Sequence, residues 1–164
     1  MSDGNLSKAK LTQADLTKAN LSRANLREAN LVNTYMPHTI LQGTHLSQAE
    51  LSQADLTGSD LSQSILKGTR LVKTYMPRTI LQGTDLSQAD LSQADLTGGD
   101  LSKAILKGTR FVKTYMPDTI LKDADLSGAN FEGAYGLNPE KVKSAKNWDQ
   151  AKYDADFSKK LGLK

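Results

Sequence analysis

The segment LVNTYMPHTILQGTHLSQAELSQADLTGSDLSQSILKGTR, residues 31–70, is followed at once by LVKTYMPRTILQGTDLSQADLSQADLTGGDLSKAILKGTR, residues 71–110. The two copies agree at 33 of 40 positions, and FVKTYMPDTIL from Phe111 opens a third, decaying copy. Inside each copy runs a shorter rhythm, a large apolar residue at every fifth place. Followed outward, it extends from Leu6 to Phe131 without a gap, as 21 Leu, three Met (Met36, Met76, Met116) and two Phe in 26 places. Two residues before each stands a small side chain, from Gly4 to Ala134: 13 Ala, ten Thr, two Ser and two Gly. The unit is small, polar, large apolar, polar, polar.

A period of five fits neither regular element. On a helix of 3.6 residues per turn, steps of five rotate by roughly 140° and scatter the leucines around the axis. On a long strand an odd step alternates faces. The consistent solution is a short extended piece in which the small residue and the Leu two places later both point inward, followed by a two-residue corner. Forty residues hold two whole coils of twenty and no whole number of fifteen-residue coils, so each coil has four sides. At roughly 4.8 Å between stacked strands, residues 4–135 predict six to seven coils, about 6.5, and a rod of about 32 Å.

Composition agrees with a repetitive core. The chain has 164 residues, 38% apolar and only 5% aromatic, too few large side chains for a conventional interlocked interior. No Cys is present, nor any run of 18 apolar residues, and the start is polar (Ser2, Asp3, Gly4). Disulfides, a membrane span and a secretory leader are therefore not expected, and a cytoplasmic protein is, with a processed lumenal or periplasmic form left open. The net charge of +3 is unevenly placed. Residues 1–136 carry 14 Lys/Arg and 14 Asp/Glu, whereas residues 137–164 carry 7 Lys and 4 Asp/Glu. The rod is neutral and the basicity sits in the tail.

The stretches ADLTKANLSRANLREANL and SQADLSQADLTGGDL resemble the A(D/N)Lxx pattern of pentapeptide-repeat proteins. The resemblance implies an all-β solenoid, a right-handed quadrilateral parallel β-helix over residues 1–136, with each inward Leu stacked on the Leu twenty residues away. Leu6, Leu26, Leu46, Leu66, Leu86, Leu106 and Leu126 form one such row. After Gly136 the rhythm stops, and Asn138-Pro139-Glu140 reads as a helix start, so residues 137–164 are expected to form a short α-helical cap. Helices are predicted near 139–151 and 155–161, stopped by Gly162, with Trp148 as the principal anchor beside Tyr153, Phe157 and Leu161. This tail is similar to the AxxWxxAxYDxxFxxxLGL endings of cyanobacterial pentapeptide-repeat proteins. Few residues precede the first coil; Lys8, Lys10, Asp15 and Lys18 there are expected to deter edge pairing, the alternative being a homodimer through that end coil.

Side chains fit for catalysis are scattered. His38 and His45 stand where the sister copy has Arg78 and Asp85, so the repeat builds no histidine site. Asp85, Asp90, Asp95 and Asp100 fall on four successive sides of one coil and point apart, whereas paired acid and base chemistry needs convergence. The recurrent Gly-Thr pairs and Gly98-Gly99 are corner residues, not a phosphate loop. Met36, Met76 and Met116 fill Leu places, and Thr34 and Thr39 are expected to bond nearby backbone. No enzyme, metal site or cofactor is expected.

The exterior remains. Tyr35, Tyr75 and Tyr115 stand outward on one side, and Ile40, Ile80 and Ile120 on the next. Val32, Val72 and Val112 lie near the preceding corner, with Pro37, Pro77 and Pro117 at the corner between Tyr and Ile. Apolar residues where the repeat usually puts Asp or Asn mark a candidate partner surface comprising Tyr35, Ile40, Tyr75, Ile80, Tyr115, Ile120, Val72 and Val112. The plain alternative is a duplicated, tolerated substitution on a purely structural solenoid without a dedicated partner. The leading expectation is a non-catalytic interaction or scaffold module with a protein partner of unknown identity. Some members of the resembled family inhibit DNA gyrase by imitating duplex DNA; such mimicry needs a strongly negative rod, and the neutral charge argues against it. No membrane or nucleic-acid partner is expected.

Overall fold

The computed structural model describes residues 2–163; Met1 and Lys164, the outermost residues of the two expected units, lie outside the described part. Each pentapeptide contributes one short extended piece. Its outward residue pairs in parallel with the residue twenty places on, from Asn5↔Asn25 through Tyr115↔Tyr135. Twenty residues therefore carry four pairing sites, and the ladder runs along the stack. Leu6 N–H donates to Asn25 C=O (2.7 Å) and Asn25 N–H returns to Gly4 C=O (2.9 Å), a pattern repeated coil after coil.

The corners are tight β-turns. The N–H of each small residue donates to the C=O of the large residue three places before it, as Ala9 does to Leu6 (3.0 Å). The second corner residue lies in the left-handed region at every repeat from Asp3 to Gly133, with φ between 55° and 68°. A turn of this kind suits Gly best, because a Cβ crowds the following carbonyl there. Nineteen of these corner residues nevertheless carry a side chain. They are held because corner N–H groups also join the ladder, Lys8 N–H to Arg27 C=O (2.8 Å) for example.

Inside, the large residues are buried from Leu21 to Phe131, while Leu6, Leu11 and Leu16 in the first coil are half-buried. The small places leave room for this stacking, and Thr fills many of them at no polar cost. Thr69, Thr74, Thr109 and Thr114 donate Oγ1 to the Leu carbonyl 23 residues earlier at 2.7–3.0 Å, and Thr44 and Thr84 to the carbonyl three before at 2.7 Å. No buried side-chain N or O among the described residues lacks a partner.

The tail differs from the expectation of a long first helix. Helix α1 spans only Pro139–Lys143, capped by Asn138 Oδ1, which accepts from Glu140 N–H (2.8 Å) and Lys141 N–H (3.1 Å). The chain then resumes the ladder: Lys146 pairs in parallel with Asp125 and Lys152 with Asn130. Unpaired edge groups of the last coil draw Ala145-Lys146 and Ala151-Lys152 out of helix, since a buried N–H or C=O without a partner is costly. A single 3₁₀ turn, Trp148–Gln150, joins them, and α2 spans Ala155–Leu161, ended by Gly162 at φ 80°. Trp148 is half-buried with Lys143 Nζ 5.7 Å above its ring, whereas Tyr153, Val142 and Leu161 are buried. Register explains the reversal: Tyr153 falls beneath Phe131, continuing the Phe111–Phe131 stack (4.8 Å between rings) at 5.5 Å, and Phe157 packs on it at 5.6 Å. Its hydroxyl donates to Trp148 C=O (2.8 Å), and burial, with Asp149 nearby, pushes its pKa well up.

Candidate partner surface

Side chains reach the exterior through two kinds of place, the paired residue at the middle of each side and the two corner residues. The middle places alternate coil by coil. One side reads Asp15, Tyr35, Asp55, Tyr75, Asp95, Tyr115, Tyr135, and the next reads Asn20, Ile40, Asp60, Ile80, Asp100, Ile120. The candidate residues gather as the register requires: Tyr35 and Tyr75 are half exposed (50% each), Ile40, Ile80, Tyr115 and Ile120 nearly so, and Val72 and Val112 are half-buried at the corner beside the tyrosines. Three exposed apolar residues join them unanticipated. Ile65 and Ile105 stand on the third side, and Tyr135 stacks on Tyr115 with ring centroids 4.9 Å apart and planes within 4°. The signal for the isoleucines was present in the forty-residue copy, which repeats Ile65 as Ile105; Tyr135 lies one coil beyond Tyr115.

The acids divide into two groups. Every middle Asp on the Tyr and Ile sides has one oxygen tied to its own corner: Asp55 Oδ1 accepts from Thr57 N–H (2.8 Å), Asp60 Oδ1 from Ser62 N–H (2.9 Å), Asp95 Oδ1 from Thr97 N–H (2.9 Å) and Asp100 Oδ1 from Ser102 N–H (2.9 Å). Asp15 does the same with Thr17, whose hydroxyl and N–H hold its carboxyl below the usual range. None of these five makes an ion pair among the described residues. On the other two sides three of the four middle acids are matched, Glu50 with Arg70 (3.1 Å), Asp90 with Arg110 (3.5 Å) and Asp125 with Lys107 (3.4 Å), whereas Asp85 only caps its own corner. Burial works to raise the pKa of Asp125, but hydrogen bonds from Ser127, Asn147 and Lys107 outweigh it and hold the carboxyl far below the usual carboxylate range.

Asp85, Asp90, Asp95 and Asp100 take four successive sides and serve as corner caps, each accepting the N–H two residues on. Among the described residues no three His, Asp or Glu converge as a metal would need. His45 Nε2 meets Ser47 Oγ at 3.0 Å, and the His38 ring lies over the Gly58 corner. A notch of about 300 Å³, lined by Thr57, Tyr75, Pro77, Arg78, Asp95 and Thr97, opens where the Tyr side meets the Pro corner. Among the described residues no helix is long and apolar enough to cross a membrane.

Comparison with known proteins agrees with this geometry. The family profile described as Pentapeptide repeats matches eight copies, in segments that together run over residues 5–133. Full-length QnrB1, a plasmid-mediated fluoroquinolone resistance protein, is 12% identical with a TM-score of 0.51. The match covers 99% of this chain and 94% of that one. A trypsin-treated variant of QnrB1 is 14% identical, with the same coverage and a TM-score of 0.58. HetL, a pentapeptide-repeat protein involved in heterocyst differentiation regulation in the cyanobacterium Nostoc sp. strain PCC 7120, is 27% identical over 92% of this chain and 87% of its own, with a TM-score of 0.39. No curated protein matches the chain. At these identities the QnrB1 likeness speaks for the fold, a β-helix with a small helical region.

Proposed function

Since the chain belongs to the pentapeptide-repeat family, we propose that it is a non-catalytic protein-interaction module whose Tyr and Ile edge receives a protein partner. Its scaffold is a right-handed quadrilateral parallel β-helix, a reading supported by four pairing sites per twenty residues and by the family's pattern. One observation carries the proposal. Among the described residues the exposed large apolar ones are Tyr35, Ile40, Ile65, Tyr75, Ile80, Ile105, Tyr115, Ile120 and Tyr135, and all stand on three sides of the rod, seven of them on the Tyr and Ile sides. The fourth side, with Arg70 and Arg110 paired to Glu50 and Asp90, has none. Apolar exposure confined in this way is the composition of an interface rather than of a uniformly solvated rod.

DNA mimicry is the weaker reading, because the rod carries 14 cations against 14 anions and a phosphate mimic must present unbroken negative charge. The test is an affinity capture comparing the parent with a Tyr35, Tyr75, Tyr115→Ser variant and with an Arg70, Arg110→Gln variant on the fourth side, all shown to be folded by circular dichroism. A partner lost by the Tyr variant and retained by the Arg variant is expected. Equal capture by all three refutes the assignment, and inhibition of gyrase supercoiling by the parent would favour mimicry instead.

A further inference from the structure

Tyr35, Tyr75 and Tyr115 recur at every second coil, which sets them about 9.8 Å apart given the 4.9 Å step between the Tyr115 and Tyr135 rings. Midway between them stand Asp55 and Asp95. Each of these carboxylates has Oδ1 tied to its corner and Oδ2 without a partner among the described residues. A planar cation laid over Asp95 would sit one coil from Tyr75 and one coil from Tyr115, the place a ring occupies when Tyr135 stacks on Tyr115. It would then face a carboxylate below and an aromatic ring on either side at about 5 Å, within cation–π range.

The period of these two seats selects the conformation of what fills them. A β-strand presents same-side residues every 6.6–6.8 Å, roughly, and falls out of step at once, whereas an α-helix, whose residue i+7 lies about 10.5 Å along, overshoots the interval by about 0.7 Å and carries only one cation per seven residues. A polyproline II segment advances about 9.3 Å in its three-residue turn, within about half an ångström of the seat spacing. The residues between cations are best uncharged, because Arg78 stands on the rim of the notch beside Asp95. Prolines meet that need, and Pro77 lines the same notch while Val72 banks the opposite edge.

We propose that the Tyr side binds a basic polyproline II segment carrying a cation at every third residue, seated over Asp55 and Asp95. This rests on the interaction-module reading and names the chemistry of its partner. Charge complementarity supports it at the seats and confines it to them: Asp55 and Asp95 are unpaired acids in line with the tyrosines, whereas Lys73, Arg78 and Lys113 on the flanking corners would repel a cation placed out of register, and Glu50 and Asp90 on the fourth side are neutralised by Arg70 and Arg110.

The test uses two fluorescein-labelled peptides of equal charge, (Arg-Pro-Pro)4 and (Arg-Pro-Pro-Pro)4, titrated with the intact protein by fluorescence polarisation at low salt. The three-residue repeat is expected to bind at least 10-fold more tightly. An Asp55, Asp95→Asn variant is expected to reduce it to the level of the four-residue repeat; Asn20 already fills an equivalent place and caps its corner in the same way, so folding is preserved. Equal binding of the two peptides within about twofold, or undiminished binding by the Asn variant, overturns the proposal. If that happens while Tyr→Ser still abolishes partner capture, this inference falls and the interaction reading stands; if Tyr→Ser leaves capture unchanged, both fall.

Discussion

Glycine substituted at three exposed corners should make the protein more stable. Gln13, Gln53 and Gln93 occupy the same corner in alternate coils, with φ of 61°, 62° and 61°. All three side chains are exposed, and the N–H groups that tie them to the ladder, to Val32, Val72 and Val112 C=O at 3.0–3.1 Å, are backbone groups that Gly retains. A non-glycine residue in the left-handed region costs about 1–2 kcal/mol. Gly returns part of that gain through the larger entropy of its unfolded chain, about 0.4–1 kcal/mol. The net is about 0.5–1 kcal/mol per site, and sites two coils apart, close to 10 Å, should add, for a total of about 1.5–3 kcal/mol. With a guanidinium m-value of about 4 kcal/mol/M, the unfolding midpoint should rise by about 0.4–0.8 M. The matched Ala triple variant keeps the strained φ and loses the same side chains, so it should stay near the parent. A Gly triple variant no more stable than the Ala triple would show that these corners hold no strain, and the argument from φ would fail.

Leu86→Ala removes a fully buried side chain stacked between Leu66 and Leu106, and should cost about 2–5 kcal/mol in the same unfolding assay. Gly99→Ser should stabilise by about 0.5–1 kcal/mol, because at the sister place Ser59 Oγ donates to Met36 C=O (2.6 Å) and accepts from Thr39 N–H (3.1 Å), and Met76 and Thr79 offer the same groups to residue 99. Asp125 links the last coil to the tail by accepting from Asn147 Nδ2 at 2.8 Å. Its pKa is depressed by folding, so its contribution is present above about pH 4, the unfolded value, and is lost as pH falls through the lower folded value. Because the carboxyl keeps contact with water, the effect should be about 1 kcal/mol: Asp125→Asn should be less stable than the parent at pH 6, and the gap should narrow progressively as the pH is taken below about 4. Deleting residues 137–164 uncovers Phe131 and the edge groups that now bond Lys146 and Lys152, and should produce concentration-dependent association in sedimentation; a monomer of unchanged stability would remove the capping role.

The core was legible because a five-residue repeat leaves one arrangement in which Leu and its small companion both face inward, and the buried row from Leu21 to Phe131 follows that rule place by place. The Thr residues were legible for a related reason: a hydroxyl at a buried small place has backbone carbonyls close by on both its own and the preceding coil, and Thr74 to Leu51 C=O at 3.0 Å is the outcome. The tail was less so. Val142, Ala145 and Trp148 have helical spacing, but Ala145-Lys146 and Ala151-Lys152-Tyr153 also copy the small, outward, large order of the repeat. Local propensity favoured one long helix, and the unpaired edge of the last coil decided for the ladder. On the exterior, reading only the strongest words of the copy, TYMP and TIL, concealed Ile65 and Ile105.

The forty-residue copy is a physical unit and not only a record of duplication. Neighbouring coils lie 4.8–4.9 Å apart, as the Phe111–Phe131 and Tyr115–Tyr135 rings do, so whatever one coil presents at a corner or a middle place is pressed against its counterpart in the next. At three of the four corners of the copy a bulky residue is accommodated by Gly in the next coil: a Cβ at Gly68 would come within 2.3 Å of Gln48 Nε2, and one at Gly108 within 2.1 Å of Gln88 Nε2; at the fourth, Gln53, Lys73, Gln93 and Lys113 alternate without Gly. A charge is accommodated when the next coil has its opposite, as Glu50 has Arg70 and Asp90 has Arg110. Both demands are met by alternation, and alternation between two coil types requires a repeat of two coils. The same requirement spaces the tyrosines at twice the coil step and sets an Asp between each pair, so the exposed pattern on which a partner would act follows from how the coils fit one another. Where the copy decays, the alternation ends too, and Tyr135 stacks directly on Tyr115.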